Sequence, residues 1–145
     1  MNKAEAAEKI FETNNCAQAV LTAYAEDCKI SKDTALSVSV GFGGGMGRLQ
    51  ETCGAVSGAI MVLGLVSDFK EGDNRDKIND VYAKVRGFVE EFKKEKGTVN
   101  CRDLLGGCDI LSEEGHKYFV EHKLRDNCRT YIRLACELLD KHLAG

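Results

Sequence analysis

Cys53-Gly54-Ala55-Val56-Ser57-Gly58-Ala59-Ile60-Met61-Val62-Leu63-Gly64-Leu65-Val66 reads as a helix that is apolar on nearly every side. A helix without a polar face has to be surrounded, so residues 53–66 are predicted to form the centre of a helical bundle. The small residues Gly54, Ala55, Ser57, Gly58 and Ala59 would let neighbouring backbones come close. The chain around this stretch has no proline and no sustained two-residue alternation, which points to an all-α fold. The apolar run from Ala55 to Val66 carries two glycines and a serine and is too short to span a bilayer.

Working outward, residues 3–13 form an amphipathic helix with Ala7, Ile10 and Phe11 inward. A second helix starts at Asn14 or Asn15 and runs to about Asp27. Ser31 caps a third that reaches about Val40, where Gly41-Phe42-Gly43-Gly44-Gly45-Met46-Gly47 breaks it. Beyond the polar connection Phe69–Arg75, the positions Ile78, Val81, Tyr82, Val85, Val89 and Phe92 make a one-faced stripe that Gly97 ends. Asn100 caps the short piece Cys101–Leu105, residues 112–121 are weakly helical, and a last helix opens at Asp126 or Asn127. The expected architecture is a compact single-domain bundle of about five to seven helices over residues 1–145.

Composition narrows the function classes. With 43% hydrophobic and 30% charged residues and a net charge of −3, the chain has no basic footprint for nucleic acid. The N-terminus, Met1-Asn2-Lys3-Ala4-Glu5, places an acidic residue where a signal peptide would have its apolar segment, so a cytoplasmic location without membrane insertion is expected. Seven cysteines, an odd number, suit metal binding or redox chemistry in a reducing compartment better than structural disulfides.

Four of those cysteines follow capping residues: Asn15-Cys16, Thr52-Cys53, Asn100-Cys101 and Asn127-Cys128. Each is therefore placed at the start of a helix, where N–H groups and the helix dipole favour a thiolate. Cys28, Cys108 and Cys136 are assigned mainly to packing, since cysteine is also a small core hydrophobe. The four capped cysteines are separated by 37, 48 and 27 positions, so no Cys-x-x-Cys pair exists and spacing alone does not bring them together. If they meet, a zinc ion, an iron–sulfur cluster or a reversible disulfide would resolve the repulsion among four thiolates. Backbone N–H groups of Gly43, Gly44 and Gly45 are suited to hydrogen-bond cluster or thiolate sulfur.

The glycine segment lacks the Gly-Lys-Ser/Thr ending of a phosphate loop, so no nucleotide site is assigned. Phe42 and Met46 are read as packing residues. Arg48, near Cys53, is suited to lowering a thiol pKa or binding an anion, against a default of a solvated surface arginine. His116 has no visible cysteine partner, and His122 and His142 lie in charged contexts that suit solvated side chains.

Asn15-Cys16-Ala17-Gln18-Ala19-Val20, the glycine segment 41–47, Thr52-Cys53-Gly54-Ala55-Val56-Ser57-Gly58, Asn100-Cys101-Arg102-Asp103-Leu104-Leu105-Gly106 and a last cysteine together resemble the C_GCAxxG_C_C family, whose members are described as redox-active. The resemblance runs from about residue 5 to 140. It places the four signature cysteines on Cys16, Cys53, Cys101 and Cys128, with Cys136 the rival for the last. It implies a partner linked to an oxidoreductase or a transporter, and relatives joined to electron-transfer cytochromes favour a cluster.

Three functions are carried forward. In the first, Cys16, Cys53, Cys101 and Cys128 hold a metal centre, an iron–sulfur cluster above all, for electron transfer. In the second, Cys53 is the attacking thiol of a thiol–disulfide oxidoreductase. In the third, the four cysteines bind structural zinc in a helical adaptor. A homodimer is compatible with an exposed amphipathic face, although no heptad run establishes one.

Overall fold

The computed structural model describes residues 1–144. Among these residues it is helical throughout, with one isolated antiparallel bridge, Thr52 to Asn100, and no longer strand pairing. Eight α-helices follow in order: α1 Lys3–Phe11, α2 Cys16–Ala23, α3 Lys32–Ser39, α4 Gly54–Val66, α5 Arg75–Lys96, α6 Cys101–Leu104, α7 Glu113–Glu121 and α8 Leu124–Ala144. A 3₁₀ turn, Val40–Phe42, and a glycine turn, Gly43–Met46, link α3 to α4. The count exceeds the expected five to seven because both marginal pieces, α6 and α7, are formed. Asn100 caps α6 by accepting from the Asp103 N–H, and Ser112 caps α7 by accepting from the Gly115 N–H.

Capping sets most of the helix starts. Asn2, Ser31 and Asn74 each accept a backbone N–H of the first turn that follows them. Asn15 and Gln18 form a reciprocal capping box at α2. Asn74 moves the start of α5 to Arg75, ahead of its apolar stripe. The first turns of that helix are mostly exposed, Tyr82 among them, and its buried anchors are Phe88 and Phe92.

Helix α4 buries Gly54 through Ala59 together with Val62 and Leu63. It packs against α2, α5 and α8, while α1 lies across α2 and α8. Its closest neighbour is α2. A Cβ placed on Gly58 would come 2.8 Å from the Ala17 carbonyl oxygen and 3.2 Å from the Val20 Cβ, so only glycine fits the approach. Phe11, Val20, Leu21, Ile132 and Leu139 complete the core, all at most 2% exposed. Cys136 is also fully buried there, mid-helix in α8.

Two further expectations are corrected. Met46 is 39% exposed rather than packed inside. His142 is largely enclosed rather than solvated, with its ring tilted on Phe88 at 6.1 Å between centroids and its Nε2 3.5 Å from Glu91.

The two α4 glycines Gly58 and Gly64 separate packing from propensity. Gly58→Ala forces a clash with backbone and should cost about 1–3 kcal/mol of stability. A Cβ on Gly64 meets nothing within 4 Å, so Gly64→Ala should stabilise by about 0.5–1 kcal/mol through helix propensity. Urea unfolding of the two variants should move the midpoint in opposite directions, and a shared direction would contradict this packing.

Candidate four-cysteine site

Cys16 opens α2 directly after its Asn15 cap, and Cys101 opens α6 after Asn100, both as expected. Cys53 is itself the residue that precedes α4, since the helix begins at Gly54 and Thr52 is held in the bridge to Asn100. Cys128 departs furthest. Helix α8 opens at Leu124, after a turn in which Lys123 has a positive φ of 52°, so Cys128 lies in its second turn and Asn127 caps nothing.

Local pairing brings these separate positions to one place. The Cys53 N–H donates to the Val99 carbonyl at 2.7 Å, and the Cys101 N–H donates to the Glu51 carbonyl at 2.6 Å. This crossed exchange around the Thr52–Asn100 bridge sets Cys53 beside Cys101. Asn15 reaches the other way, its Nδ2 donating to the Val40 carbonyl at 2.9 Å, which fastens the 3₁₀ turn ahead of the glycine turn to the start of α2. The Tyr131 hydroxyl donates to the Leu104 carbonyl at 2.7 Å and ties α8, with Cys128 one turn back, onto α6.

Cys16, Cys53, Cys101 and Cys128 line a single cavity of about 810 Å³ together with Tyr131, Arg125 and Arg48. All four are free thiols. Cys28 and Cys136 are buried away from the cavity. Cys108 lies on a separate shallow pocket, where its thiol donates to the Gly115 carbonyl at 3.1 Å. The structure therefore assembles the four cysteines that the capping pattern selected, with Cys128 rather than Cys136 as the fourth. Among the described residues no group of three or more His, Cys, Asp or Glu side chains is disposed to hold a metal ion as it stands.

Burial governs the protonation of these thiols. Desolvation raises the pKa of Cys16, although the N–H dipoles of Gly44, Ala17 and Gly54 are turned toward its sulfur and pull the other way. Burial pushes Cys53 well above its ordinary value, with the Cys16 charge adding to it and the Ala55 and Val56 N–H groups opposing. Burial likewise takes Cys101 to about 11 and Cys128 to about 12, each further raised by repulsion from Cys16. The expected bias toward thiolate at a helix start is present at Cys16 and Cys53, but desolvation outweighs it.

The glycines act by their lack of a side chain. A Cβ on Gly54 would stand 2.7 Å from the Cys16 sulfur, and one on Gly45 would stand 2.8 Å from the Cys101 Cβ. Gly43 is pressed against the Asn15 side chain. Of the three glycines expected to offer N–H groups to sulfur, Gly44 turns its own toward Cys16, whereas Gly43 and Gly45 make room.

Sequence reading missed two residues that line the cavity, Tyr131 and Arg125, and one, Gln50, that holds its wall. Tyr131 faces the cysteines from α8, its hydroxyl pKa raised by burial and then by the charges of Cys128, Cys53 and Cys101; its position three after Cys128, on the same helix face, was the available signal. Arg125 donates to the Phe11 carbonyl and lies over the Phe11 ring, 3.8 Å from its centroid. Gln50, buried and at a positive φ of 59°, clasps residues 108–110: its Nε2 donates to the Cys108 carbonyl at 2.6 Å and its Oε1 accepts from the Ile110 N–H at 2.9 Å. No local pattern in the sequence announces that clasp.

Fold and site define a small all-helical protein with four cysteines gathered in one cavity. The chain belongs to the family described as "Putative redox-active protein (C_GCAxxG_C_C)", whose model matches residues 14–142. A relative from Archaeoglobus fulgidus, carrying the description "Uncharacterized protein", is 32% identical over 126 residues, covering 82% of this chain and 83% of the relative. No solved structure matches the chain. No helix among the described residues is long and apolar enough to cross a membrane.

Raised thiol pKa values make stability fall with rising pH. An unfolded cysteine ionises near 9.0, whereas folded Cys101 and Cys128 hold their protons to about 11 and about 12. Between these values the unfolded state binds fewer protons, so the metal-free, reduced protein is most stable below pH 9. Its stability should then decline by up to about 1.4 kcal/mol per pH unit for each such thiol. Urea midpoints at intervals from pH 8 to 11 measure the slope; a flat profile would contradict the burial of these sulfurs.

Proposed function

We infer that Cys16, Cys53, Cys101 and Cys128 hold a metal centre, an iron–sulfur cluster, and that the protein transfers electrons. The observation that carries this reading is that four thiols from four separate chain segments line one cavity. Membership of a family described as redox-active points the same way.

The donor set suits soft metal ions. Metal ligation requires thiolates, and four thiolates confined in a desolvated pocket repel one another unless cationic charge lies between them. Burial alone would leave the sulfurs protonated, so ligation by a cation is the change that makes their anionic form favourable there. Turned N–H dipoles at Cys16 and Cys53 stabilise that anionic form. A cluster of several irons presents its ligand positions further apart than a single zinc ion does, which suits four ligands drawn from four separate chain segments.

When bound, the centre would supply one-electron exchange with a partner oxidoreductase. The protein's own residues do the rest. Phe11, Leu104 and Leu105 exclude water, Gly44 and Gly54 keep backbone dipoles on the Cys16 sulfur, and the Arg125 guanidinium adds positive charge beside Cys128.

Anaerobic purification and reconstitution test this reading. The protein should be brown and carry iron and sulfide in stoichiometric amounts. Cys16→Ser, Cys53→Ser, Cys101→Ser and Cys128→Ser should each lose most of that iron, while Cys108→Ser keeps it. Colourless protein after reconstitution would sink the cluster. Zinc retained in its place would select the adaptor function. Rapid alkylation of Cys53, abolished once oxidation links it to a second cysteine, would select the thiol–disulfide enzyme.

A further inference from the structure

The cavity above the cysteines is larger than four thiols need. At about 810 Å³ it falls within the roughly 300–1,000 Å³ of sites that take small organic molecules. Its outer wall is apolar, formed by Val40, Ile110, Leu111 and Phe119, and two of these stand open at the mouth, Val40 57% and Leu111 60% exposed. Its charges are unbalanced: Arg48 and Arg125 line it against a single carboxylate, Glu113.

Arg125 is already committed, since it donates to the carbonyls of Phe11 and Asn14 and lies over the Phe11 ring. Arg48 is not. Ion pairs are made by Arg102 with Asp109, Arg129 with Asp126 and Arg133 with Glu8; among the described residues the Arg48 guanidinium has neither an ion pair nor a hydrogen bond. The stem of Arg48 is laid across Gly44, where a Cβ would meet its Cγ at 2.7 Å and the Ile110 Cδ1 at 3.7 Å. That carries the side chain over the glycine whose N–H faces Cys16.

The backbone at this position is costly. Arg48 has a φ of 66°, the last of five consecutive residues, Gly44 through Arg48, in the left-handed region. An L-residue there costs roughly 1–2 kcal/mol that glycine does not incur. Three of the five are glycine, yet an arginine is kept where its free charge meets an apolar cavity. Strain of this kind accumulates where a side chain has a task.

We propose that the cavity is a binding site for a small organic anion, an acidic head on an aliphatic or aromatic body. Arg48 pairs with the head, and Val40, Ile110 and Leu111 take the body, over the mouth of the four-cysteine pocket. The proposal goes beyond the metal centre and does not need it, so it stands or falls on binding, whereas the centre stands or falls on iron and sulfide content.

Anilinonaphthalenesulfonate, an anionic apolar fluorophore, is a suitable probe for the full chain, reduced and anaerobic, with circular dichroism confirming the native fold. One site of saturable binding is expected, displaced by octanoate and far less by octanol. Arg48→Gln should weaken the probe about tenfold, the size of one lost charge-assisted contact. Arg48→Lys should restore most of that loss, and Leu111→Glu, which puts a like charge at the mouth, should weaken binding as well. The proposal is overturned if the native protein shows no saturable site. It is also overturned if Arg48→Gln binds as tightly as the parent, or if octanol competes as well as octanoate.

Discussion

Helices α2 and α4 approach so closely that no side chain fits between them at two positions, and the remaining structure is arranged around that approach. Gly58 meets the Ala17 carbonyl, and Gly54 meets the Cys16 sulfur and the Ala17 nitrogen. With α4 held this near, Cys53, the residue just before it, is delivered next to Cys16, the residue that opens α2. Bringing the backbones together also leaves the Gly54 N–H turned on the Cys16 sulfur. The close contact that packs the core thus creates half of the site, and the bridge between Thr52 and Asn100 attaches the third cysteine to it.

Two electrostatic effects compete most plainly at Cys16 and Cys53, where backbone N–H groups face the sulfur. Backbone N–H groups and helix starts favour the anion by about 0.3–1 kcal/mol where water screens them. Removal from water favours the neutral thiol, and here it is the larger effect at all four positions. At Cys16 and Cys53 the dipoles are aimed for anions and burial is set against them. A solvent-exposed nucleophilic cysteine would need the opposite arrangement, with dipoles dominant and burial slight.

Much of the fold was legible because it is local. Caps at Asn15, Ser31 and Asn100 stand next to the helices they start, and the apolar helix read over residues 53–66 forms over Gly54–Val66. Cys128 shows the limit of that reasoning. Asn127 has the right chemistry for a cap, but the chain has already turned at Lys123 and entered α8 three residues earlier, so the cap pattern is coincidental there. Cys128 reaches the cavity because Tyr131 pins α8 to the Leu104 carbonyl, an interaction across 27 positions. The Gln50 clasp on residues 108–110 was equally out of reach, since it joins segments that share no motif.

The left-handed run from Gly44 to Arg48 connects these levels. Within it Gly44 faces Cys16 while Gly45 packs against Cys101. Glycine at 44, 45 and 47 keeps the cost low. Met46 and Arg48 raise it again, and neither is repaid by burial, since both are exposed. Directly after them Gln50, also left-handed, is fully enclosed and holds the far wall of the cavity through the Ile110 N–H. The stretch from Gly44 to Gln50 therefore faces the Cys16 sulfur, packs against the Cys101 Cβ, carries the free guanidinium and secures the opposite wall.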